Sequence, residues 1–509
     1  MKINIIEYFQ ETAKQFPNKV AVVDGQRTIT FKDLEHKAKT LAQYIVSKQD
    51  IINRPIAVFL PKSIESVYSD LAITYSGNAY MNLDIKNPEA RLKNIIDLIQ
   101  PIAIITNDKN VKIIQNIAPK ELQIINIDEI KCEDNIDDKL LENRLSKLID
   151  TDPYCIINTS GSTGTPKGVV LNHRSFFDFI ARSQERFAFT NDEVIGSLSP
   201  LVFDIYSYEL CLLMTRASTI VVIPDHLSAF PAAILKIMKD QKVSFIFWVP
   251  TIMVNIANMN LLSEIELPDL RLVWFAGEVF PTKQFNIWRK HLTHTTFANL
   301  YGPIEITLDC IYYVIERDLK DQEPIPIGYA YKNTDILLLD ENNKKVTDRN
   351  VEGEICVRGT SLAMGYYNNP EKTSAAFVQN PLNHSYPELI YRTGDVAIIN
   401  DLGEIVFKGR KDSLIKHMGY RIELGEIEHV IVNTLKLAKN GCVVYNYAKK
   451  EITLFYENNQ ELTPADFRKA IANDLPKYMI PTVYIKVEEL KRNTNGKIDR
   501  LYYKKQVNE

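Results

Sequence analysis

A loop rich in glycine and hydroxyl residues is the part of the sequence whose composition most directly suggests chemistry. It has the sequence NTSGSTGTPKG, from Asn158 to Gly168, and it joins two strand-like apolar runs. Backbone N–H groups and hydroxyls in such a loop can surround a polyphosphate. A Walker A loop would place Gly-Lys-Ser/Thr at the start of a helix, whereas here Pro166 precedes Lys167 and a strand follows. A merely flexible turn would not need Pro-Lys-Gly closing onto a strand, so we interpret the loop as a phosphate site.

Four other residues have side chains suited to a nucleotide site, although each also has an ordinary explanation. The Glu305 carboxylate could bind Mg²⁺, which takes few protein oxygens beside phosphate oxygens, or it could be solvated at a turn. The flat ring of Tyr301 could stack on adenine or belong to the core. Asp395, which follows Thr-Gly, could accept hydrogen bonds from ribose hydroxyls or serve as a turn residue. Lys497, in a polar Asn-Gly loop, indicates little on its own.

Taken in order along the chain, these residues lie in segments that resemble the adenylate-forming superfamily. Within it, the sequence is most similar to the amino-acid adenylation domains of nonribosomal peptide synthesis and to the D-alanine–carrier protein ligases. The resemblance covers nearly the whole chain. The matching segments are Ala79–Asp84 with Asn87, Pro88, Arg91 and Leu92, then Asn158–Gly168, Phe203–Asp204, Asn299–Glu305, Tyr391–Asp395, Gly409–Glu428 and Asn495–Arg500.

The resemblance implies an ATP site with Mg²⁺. It assigns ATP binding to Thr159, Ser160, Gly161, Ser162, Thr163, Gly164, Lys167, Gly277, Glu278, Asn299, Leu300, Tyr301, Gly302, Asp395 and Arg410. It assigns the metal to Glu305 and catalysis to Lys497, Glu305, Thr159 and Lys167. One departure is Ile304, where the family usually has Thr; the hydroxyl of Thr307 is a candidate replacement.

The resemblance also implies two half-reactions served by a moving C-terminal domain. In the first, Lys497 swings into the site and stabilises the charge that develops as a carboxylate attacks the α-phosphate. In the second, that domain rotates about Asp412 and brings in the segment around Gly419, which opens a path for a pantetheine thiol. The thiol is expected on a separate carrier protein, because no Ser-bearing carrier segment follows the lysine motif before Glu509.

The acid pocket can be carried over by aligning around Phe203-Asp204, Ala276-Gly277 and Tyr301-Gly302. The lining it implies is Asp204, Ile205, Tyr208, Phe247, Trp274, Ala276, Leu300, Leu308 and Asp309, with Lys497 at the carboxylate. A buried carboxylate at position 204 needs a cationic partner, which an α-ammonium group supplies. Its ordinary alternative is an N-cap of a helix that starts near Tyr206.

Large side chains in this lining predict a small substrate. Phe247, Trp274 and Tyr208 should shrink the pocket, so alanine or glycine is the first expectation and a flat aminobenzoate the second. Asp309 either meets a second amine or points into solvent near the mouth. Two other functions stay open: an acyl- or aryl-CoA ligase, against which Asp204 argues, and a non-catalytic nucleotide-binding homologue, which only Ile304 favours.

The elements expected to position these residues alternate between strands and helices. Up to about residue 326, apolar runs such as Pro55–Leu60 and Leu272–Ala276 alternate with amphipathic stretches, which predicts an α/β fold of parallel-sheet subdomains. From Pro326 the runs Ile327–Leu339 and Gly353–Gly359 predict antiparallel strands of a small barrel-like subdomain. We expect a large domain over residues 1–410 and a small mobile α+β domain over 411–509, the latter with a helix at Ile422–Leu435.

Composition and charge exclude several other classes of protein. The chain has 509 residues, 45% of them hydrophobic and 24% charged, as in a folded protein of more than one domain. With a net charge of -4 and no long Lys/Arg cluster, it is not expected to bind nucleic acid. Six scattered cysteines lack zinc-ligand spacing, and the apolar face of the first 17 residues suits a docked helix better than a signal peptide. We therefore expect a cytoplasmic enzyme without a membrane partner.

Overall fold

Two largely parallel sheets organise the chain up to about residue 330. The structure, a computed structural model, describes residues 2–131, 135–159, 166–411, 414–458, 462–492 and 498–509. The first sheet has, in spatial order, the strands Tyr329–Ala330, Ile311–Val314, Thr296–Tyr301, Leu272–Phe275, Phe245–Trp248, Val194–Ser197, Thr219–Val222, Val20–Asp24 and Arg27–Thr30. Its central strands are parallel and fully buried, because helices cover both faces. The predicted α/β fold is confirmed.

The second sheet carries the glycine- and hydroxyl-rich loop. Its strands, in spatial order, are Gly365–Tyr366, Lys167–Asn172, Pro153–Thr159, Ala79–Asn82, Pro55–Val58, Ala103–Thr106 and Gln123–Asn126. The strands from Pro153–Thr159 to Gln123–Asn126 run parallel, and Lys167–Asn172 returns antiparallel to Pro153–Thr159. The loop therefore joins two adjacent strands of this sheet, and its described ends, Thr159 and Lys167, pair at the edge where the parallel strands end.

A third, antiparallel sheet follows in the chain, as the texture of the sequence predicts. Its strands are Thr334–Leu339, Gly353–Gly359, Leu389–Ile399, Phe377–Gln379 and Ile405–Arg410. The single strand predicted over Ile327–Leu339 is wrong: it divides into Tyr329–Ala330, at the edge of the first sheet, and Thr334–Leu339. Asn333 has φ +63° and turns the chain between them, a conformation that asparagine tolerates better than most residues.

The residues after 413 form their own small sheets and core. A hairpin of Leu414–His417 and Tyr420–Glu423 comes first, then a sheet of Asn440–Asn446, Glu451–Glu457 and Val483–Lys486. The helix predicted over Ile422–Leu435 begins later, at Leu424, because Ile422 pairs with Ile415 in the hairpin. A hydrophobic cluster built from residues 415–479 packs separately from the clusters of the two large sheets. The domain division at residues 410 and 411 stays a prediction.

Helices cover the sheets and connect their strands. They are Ile6–Gln15, Phe31–Lys48, Ile64–Tyr75, Glu89–Ile99, Val111–Ile117, Asp138–Leu145, His173–Phe187, Asp204–Arg216, Pro231–Asp240, Pro250–Asn258, Thr282–His291, Pro370–Ala376, Leu424–His429, Pro464–Ile471 and Arg500–Asn508. None of the helices in the described ranges is both long and apolar enough to span a bilayer. The cysteines among the described residues, namely Cys155, Cys211, Cys310, Cys356 and Cys442, are all buried and free. Cys132 lies outside those residues.

Candidate functional site

A cleft opens where the parallel strands of both large sheets end. It is lined by loops that follow several of these strands and by the C-terminal hairpin. Ligands of open α/β sheets bind at this edge, because loops from neighbouring strands converge there. The main lining residues are Asn82, Asp84, Asn87, Arg91, Asn158, Thr159, Val202, Phe203, Asp204, Ile205, Phe247, Val249, Ala276, Gly277, Gly302, Pro303, Ile304, Leu308, Asp309, Asp395, Arg410, Leu414, Lys416, Gly419, Tyr420, Arg421 and Tyr478.

The ends of the glycine- and hydroxyl-rich loop lie against this cleft. Thr159 and Lys167 pair directly across the two strands that the loop connects. Within the described ranges, the Thr159 hydroxyl and both polar atoms of the Asn158 amide are buried without a hydrogen-bond partner, which is costly unless a ligand supplies one. Burial lowers the pKa of the Lys167 ammonium, whose nitrogen lies 5.3 Å from the centre of the Tyr366 ring. These groups suit the oxygens of a phosphate. Ser160, Gly161, Ser162, Thr163 and Gly164 lie outside the described residues.

Gly168 allows this hairpin to pack closely on the helix beside it. A Cβ at this position would lie 2.4 Å from Cδ1 of Ile99 and 3.0 Å from Cγ2 of Ile156. Any larger residue would therefore force the Ile99 side chain or the strand itself to shift. The sequence Pro-Lys-Gly thus fixes the strand that carries Lys167.

Three side chains predicted to bind the nucleotide form a hydrogen-bonded group. The Tyr301 hydroxyl donates to Oδ2 of Asp395 at 2.5 Å, and the Arg410 guanidinium donates to Oδ1 at 2.5 Å. Arg410 also donates to the Thr393 carbonyl at 2.9 Å. Asp395 is 4% exposed and, like Arg410, lines the cleft. The phenol and the guanidinium thereby fix the carboxylate in place beside the space where a ribose would bind.

The other predicted nucleotide residues fall into two groups. Gly277 and Gly302 line the cleft, whereas Asn299, Leu300 and Glu278 are absent from its main lining. Asn299 donates to the Pro326 carbonyl at 2.8 Å, so it supports the loop from below. Glu278 accepts from the Gly419 backbone N–H at 2.8 Å and therefore contacts the C-terminal hairpin.

The predicted metal ligand Glu305 is completely buried and already has two polar partners. It lies in the short 3₁₀ turn Ile304–Ile306. Oε1 accepts from the Tyr366 hydroxyl at 2.8 Å, and Oε2 accepts from the Arg421 guanidinium at 2.5 Å. Burial opposes ionisation, but the charge of Arg421 outweighs it and holds the pKa of Glu305 below its ordinary value. With both oxygens engaged in this arrangement, the carboxylate does not fit a metal ion.

Ile304 and Thr307 differ in where they point. Ile304 lines the cleft at the position where the resemblance implies a hydroxyl. Thr307 is completely buried, and its hydroxyl has no hydrogen-bond partner in the described part of the chain. It is absent from the cleft lining, so the geometry does not favour the suggested replacement of the missing hydroxyl.

The predicted acid pocket divides into a lining and a layer behind it. Asp204, Ile205, Phe247, Ala276, Leu308 and Asp309 line the cleft. Tyr208, Trp274 and Leu300 are buried behind them and do not line it. The rings of Tyr208 and Trp274 stack with centroids 5.4 Å apart and an interplanar angle of 13°. They limit the depth of the pocket by filling the space beneath it.

Two carboxyl groups face this pocket. Burial raises the pKa of Asp204 to about 6, and burial together with the nearby Asp204 raises the pKa of Asp309 well above its ordinary value. Asp204 is the first residue of the helix Asp204–Arg216 and accepts from the Ile205 N–H at 3.0 Å, so it is not the N-cap. Asp309 is 3% exposed, which excludes the alternative that it points into solvent. Within the described ranges neither carboxyl has a cation at ion-pair distance, although the charge of Lys416 acts on both and lowers the pKa of each.

The C-terminal hairpin contributes two cations that the sequence reasoning did not single out. Lys416 and Arg421 are direct cross-strand partners, so their side chains share one face, and both line the cleft. Like charges in this relation destabilise a hairpin unless anions face them. Here Arg421 pairs with Glu305, and Lys416 is near Asp309 and Asp395. The sequence did contain a signal for them: in the segment Gly409–Glu428, a basic residue stands on each side of the turn that contains Gly419.

Gly419 brings the turn of this hairpin against the mouth of the pocket. It has φ +82°, and a Cβ would lie 2.9 Å from Cγ1 of Val249 and 3.1 Å from Cε2 of Phe203. A second link between the two parts of the chain is the buried ion pair of Arg91 with Glu426. The hairpin thus lies in the cleft in this arrangement. Lys497 and Asp412 are outside the described residues.

Comparison with known proteins gives the chain its relatives. Residues 9–367 match the family described as AMP-binding enzyme. Tyrocidine synthase 1 of Brevibacillus parabrevis is 29% identical over 98% of this chain, which spans only 44% of that protein. The Vibrio cholerae adenylation domain AlmE, solved with glycyl-adenosine-5'-phosphate, has a TM-score of 0.85 at 20% identity, over 99% of this chain and 98% of that one. Holo-PA1221, an NRPS protein with adenylation and PCP domains, has a TM-score of 0.82 at 21% identity, over 99% of this chain and 84% of that one.

Proposed function

The chain belongs to the AMP-binding enzyme family and is an AMP-forming ligase that adenylates an acid, and we propose that this acid is an amino acid whose acyl group passes to a carrier-protein thiol. The observation that carries the proposal is the Asp204 carboxyl in the acid pocket. It lines the cleft, burial raises its pKa to about 6 despite the opposing charge of Lys416, and within the described ranges no cation lies at ion-pair distance from it. An α-ammonium group would supply that charge. A fatty or simple aromatic acid would leave the carboxylate without a cation in direct contact.

The adenylation step relies on positioning and charge more than on covalent chemistry by the protein. A carboxylate oxygen of the amino acid attacks the α-phosphorus of ATP, the bond to the bridging oxygen breaks, and pyrophosphate leaves with the electron pair. The Thr159 hydroxyl and the Lys167 ammonium, at the two ends of the loop, would hold phosphate oxygens. Lys497 would bridge the carboxylate and the phosphate. Asp395, held by Tyr301 and Arg410, would accept from the ribose.

A small substrate agrees with the layer behind the pocket. Phe247 faces the cleft, and the stacked rings of Tyr208 and Trp274 close the space beneath it. Alanine or glycine would fit such a shallow pocket, and a flat aminobenzoate could lie against the Phe247 ring. Asp309 favours substrates with a second hydrogen-bond donor, because a buried carboxyl without a partner is costly.

In the transfer step, the carrier thiol reacts with the carbonyl carbon of the adenylate. A carbon–sulfur bond forms, the bond from that carbon to the phosphate oxygen breaks, AMP leaves with the electron pair, and the thiol proton goes to solvent. Gly419, whose missing side chain lets the hairpin turn pack against Val249 and Phe203, would lie beside the path by which a pantetheine arm enters.

ATP–pyrophosphate exchange over a panel of amino acids and aminobenzoates tests the proposal. We expect exchange with at least one small amino acid and much slower exchange with the same acid lacking its amine. Exchange only with acids that carry no amine would refute the amine assignment. Loading of a phosphopantetheinylated carrier, compared with coenzyme A, tests the acceptor; transfer to coenzyme A alone would show that the acceptor is wrong.

A further inference from the structure

Arg421 occupies the carboxylate that the metal is expected to use. Its guanidinium donates to Oε2 of Glu305 at 2.5 Å, and Tyr366 holds the other oxygen. The Glu305 side chain is 0% exposed and that of Arg421 is 13% exposed, so neither charge is compensated by bulk water. A divalent cation could bind Glu305 only if this guanidinium left.

The contact joins two parts of the chain that lie 116 residues apart in sequence. Glu305 follows a strand of the first sheet, and Arg421 lies in the C-terminal hairpin. The hairpin has further contacts in the cleft, since the Gly419 N–H donates to Glu278 and the Tyr420 ring lies 5.0 Å from that of Phe203. The Arg421 position therefore depends on the whole hairpin lying in the cleft.

Electrostatics makes metal and guanidinium mutually exclusive here. Lys167 is close enough that Arg421 and Glu305 both influence its pKa, so the surroundings of Glu305 already contain two cations. Adding a divalent ion beside them would bring three cationic groups around one buried carboxylate, in a region where charges are poorly screened. Removing both cations would leave that carboxylate uncompensated.

We infer that Arg421 and a divalent cation bind Glu305 in alternation, so that the C-terminal hairpin enters the cleft only when the metal has left. Arg421 is thus a positioning residue for the transfer step: it neutralises Glu305 while the hairpin lies in the cleft. This inference rests on the proposed function, because it assigns the arrangement with the hairpin in the cleft to the second half-reaction. Because the two equilibria are linked, a bound metal lowers the equilibrium constant for placing the hairpin in the cleft by the same factor by which the placed hairpin lowers the metal affinity.

Binding of Mn²⁺, measured by electron paramagnetic resonance in the presence of α,β-methylene-ATP, tests the exclusion without turnover. A charge-assisted hydrogen bond must be broken to admit the metal, so Arg421→Gln should tighten Mn²⁺ binding about ten- to hundredfold. Arg421→Lys keeps the charge and should change the affinity less. Arg174→Gln is the matched control, since it removes the same charge from an exposed pair with Asp150. It should leave Mn²⁺ affinity unchanged.

The two half-reactions provide the second readout. Arg421→Gln should slow thiol loading from preformed acyl-adenylate in EDTA about tenfold while pyrophosphate exchange stays within about threefold of the parent. Arg421→Lys should recover part of the loading rate. Unchanged Mn²⁺ affinity in Arg421→Gln, or an equal loss of both half-reactions, would overturn the inference. If the parent protein exchanged pyrophosphate with no acid, the proposed function would be refuted. The Mn²⁺ affinities would still test whether Arg421 excludes the metal, because that measurement does not require turnover.

Discussion

Asp204→Asn removes a charge from the acid pocket with almost no change in shape. Burial raises the pKa of this carboxyl from 3.8 to about 6, which corresponds to about 3 kcal/mol that disfavours the ionised form. Because the folded pKa lies above the unfolded one, the stability that this group contributes is present below about pH 4 and is lost as the pH rises towards 6. The ammonium of a bound amino acid would offset that cost.

The size of the effect on activity follows from the same pair of charges. Truncating one partner of a buried charged pair costs about 2–5 kcal/mol, so Asp204→Asn should lower kcat/KM for the amino acid on the order of 100-fold at pH 7.5. In the parent protein, kcat/KM should fall about tenfold per pH unit below 6, because only the ionised carboxylate pairs with the ammonium. Asp204→Asn has no ionisable carboxyl at this position, so its kcat/KM should not show this fall below pH 6.

Pyrophosphate exchange from pH 5 to 8 measures both effects, with the deaminated analogue of the best substrate as the control acid. Asp204→Asn should narrow the preference for the amino acid over its analogue and leave the analogue at least as good a substrate as before. If the variant retained the preference of the parent protein and the same acid limb, the amine would be bound elsewhere and the reasoning would be refuted.

Three further substitutions test other parts of the site. Lys497→Ala should abolish adenylate formation with nucleotide affinity mostly intact, as measured by quench-flow and equilibrium binding; a parental rate would rule out the swinging lysine. Tyr301→Phe removes the hydroxyl that donates to the buried Asp395 and should lower the free energy of unfolding in urea by about 1.5–3 kcal/mol; a change under about 0.5 kcal/mol would mean that water replaces the bond. Gly302→Ala would bring a Cβ within 2.0 Å of the Leu308 carbonyl oxygen, so the melting temperature should fall and pyrophosphate exchange should be lost. Gly441→Ala is the control: its Cβ would have no contact under 3.3 Å, so it should be tolerated.

Much of the fold follows from local patterns. Runs such as Phe245–Trp248 and Leu272–Phe275 are apolar throughout and bounded by polar residues, so the sequence predicts buried parallel strands correctly. The errors occur where one segment changes its partner. Ile422 continues an apolar pattern that suits a helix, but its pairing with Ile415 keeps it in the hairpin. Such pairings are not visible in local periodicity.

The site was predictable as a set of residues but not as a set of contacts. The motifs indicate Glu305, Tyr301 and Asp395; the structure places Asp395 in the cleft lining, with Tyr301 bonded to it, and buries Glu305 against Tyr366. The partners that fix their charges come from distant segments, as Arg421 does for Glu305. The depth of the pocket could not be predicted from the sequence either, because Tyr208 and Trp274 limit it by stacking behind the lining residues. An alignment of positions does not reveal which side chain faces the substrate.

The buried cysteines have a practical consequence for detecting the product. Burial raises the pKa of Cys155 and the other four thiols in the described ranges, which makes them poor nucleophiles at neutral pH. These five side chains should therefore neither capture the activated acyl group nor react with alkylating dyes in the native protein. Radiolabel that stays on a polypeptide after acid precipitation, and is released by hydroxylamine, will report an acceptor thiol rather than self-acylation at these positions.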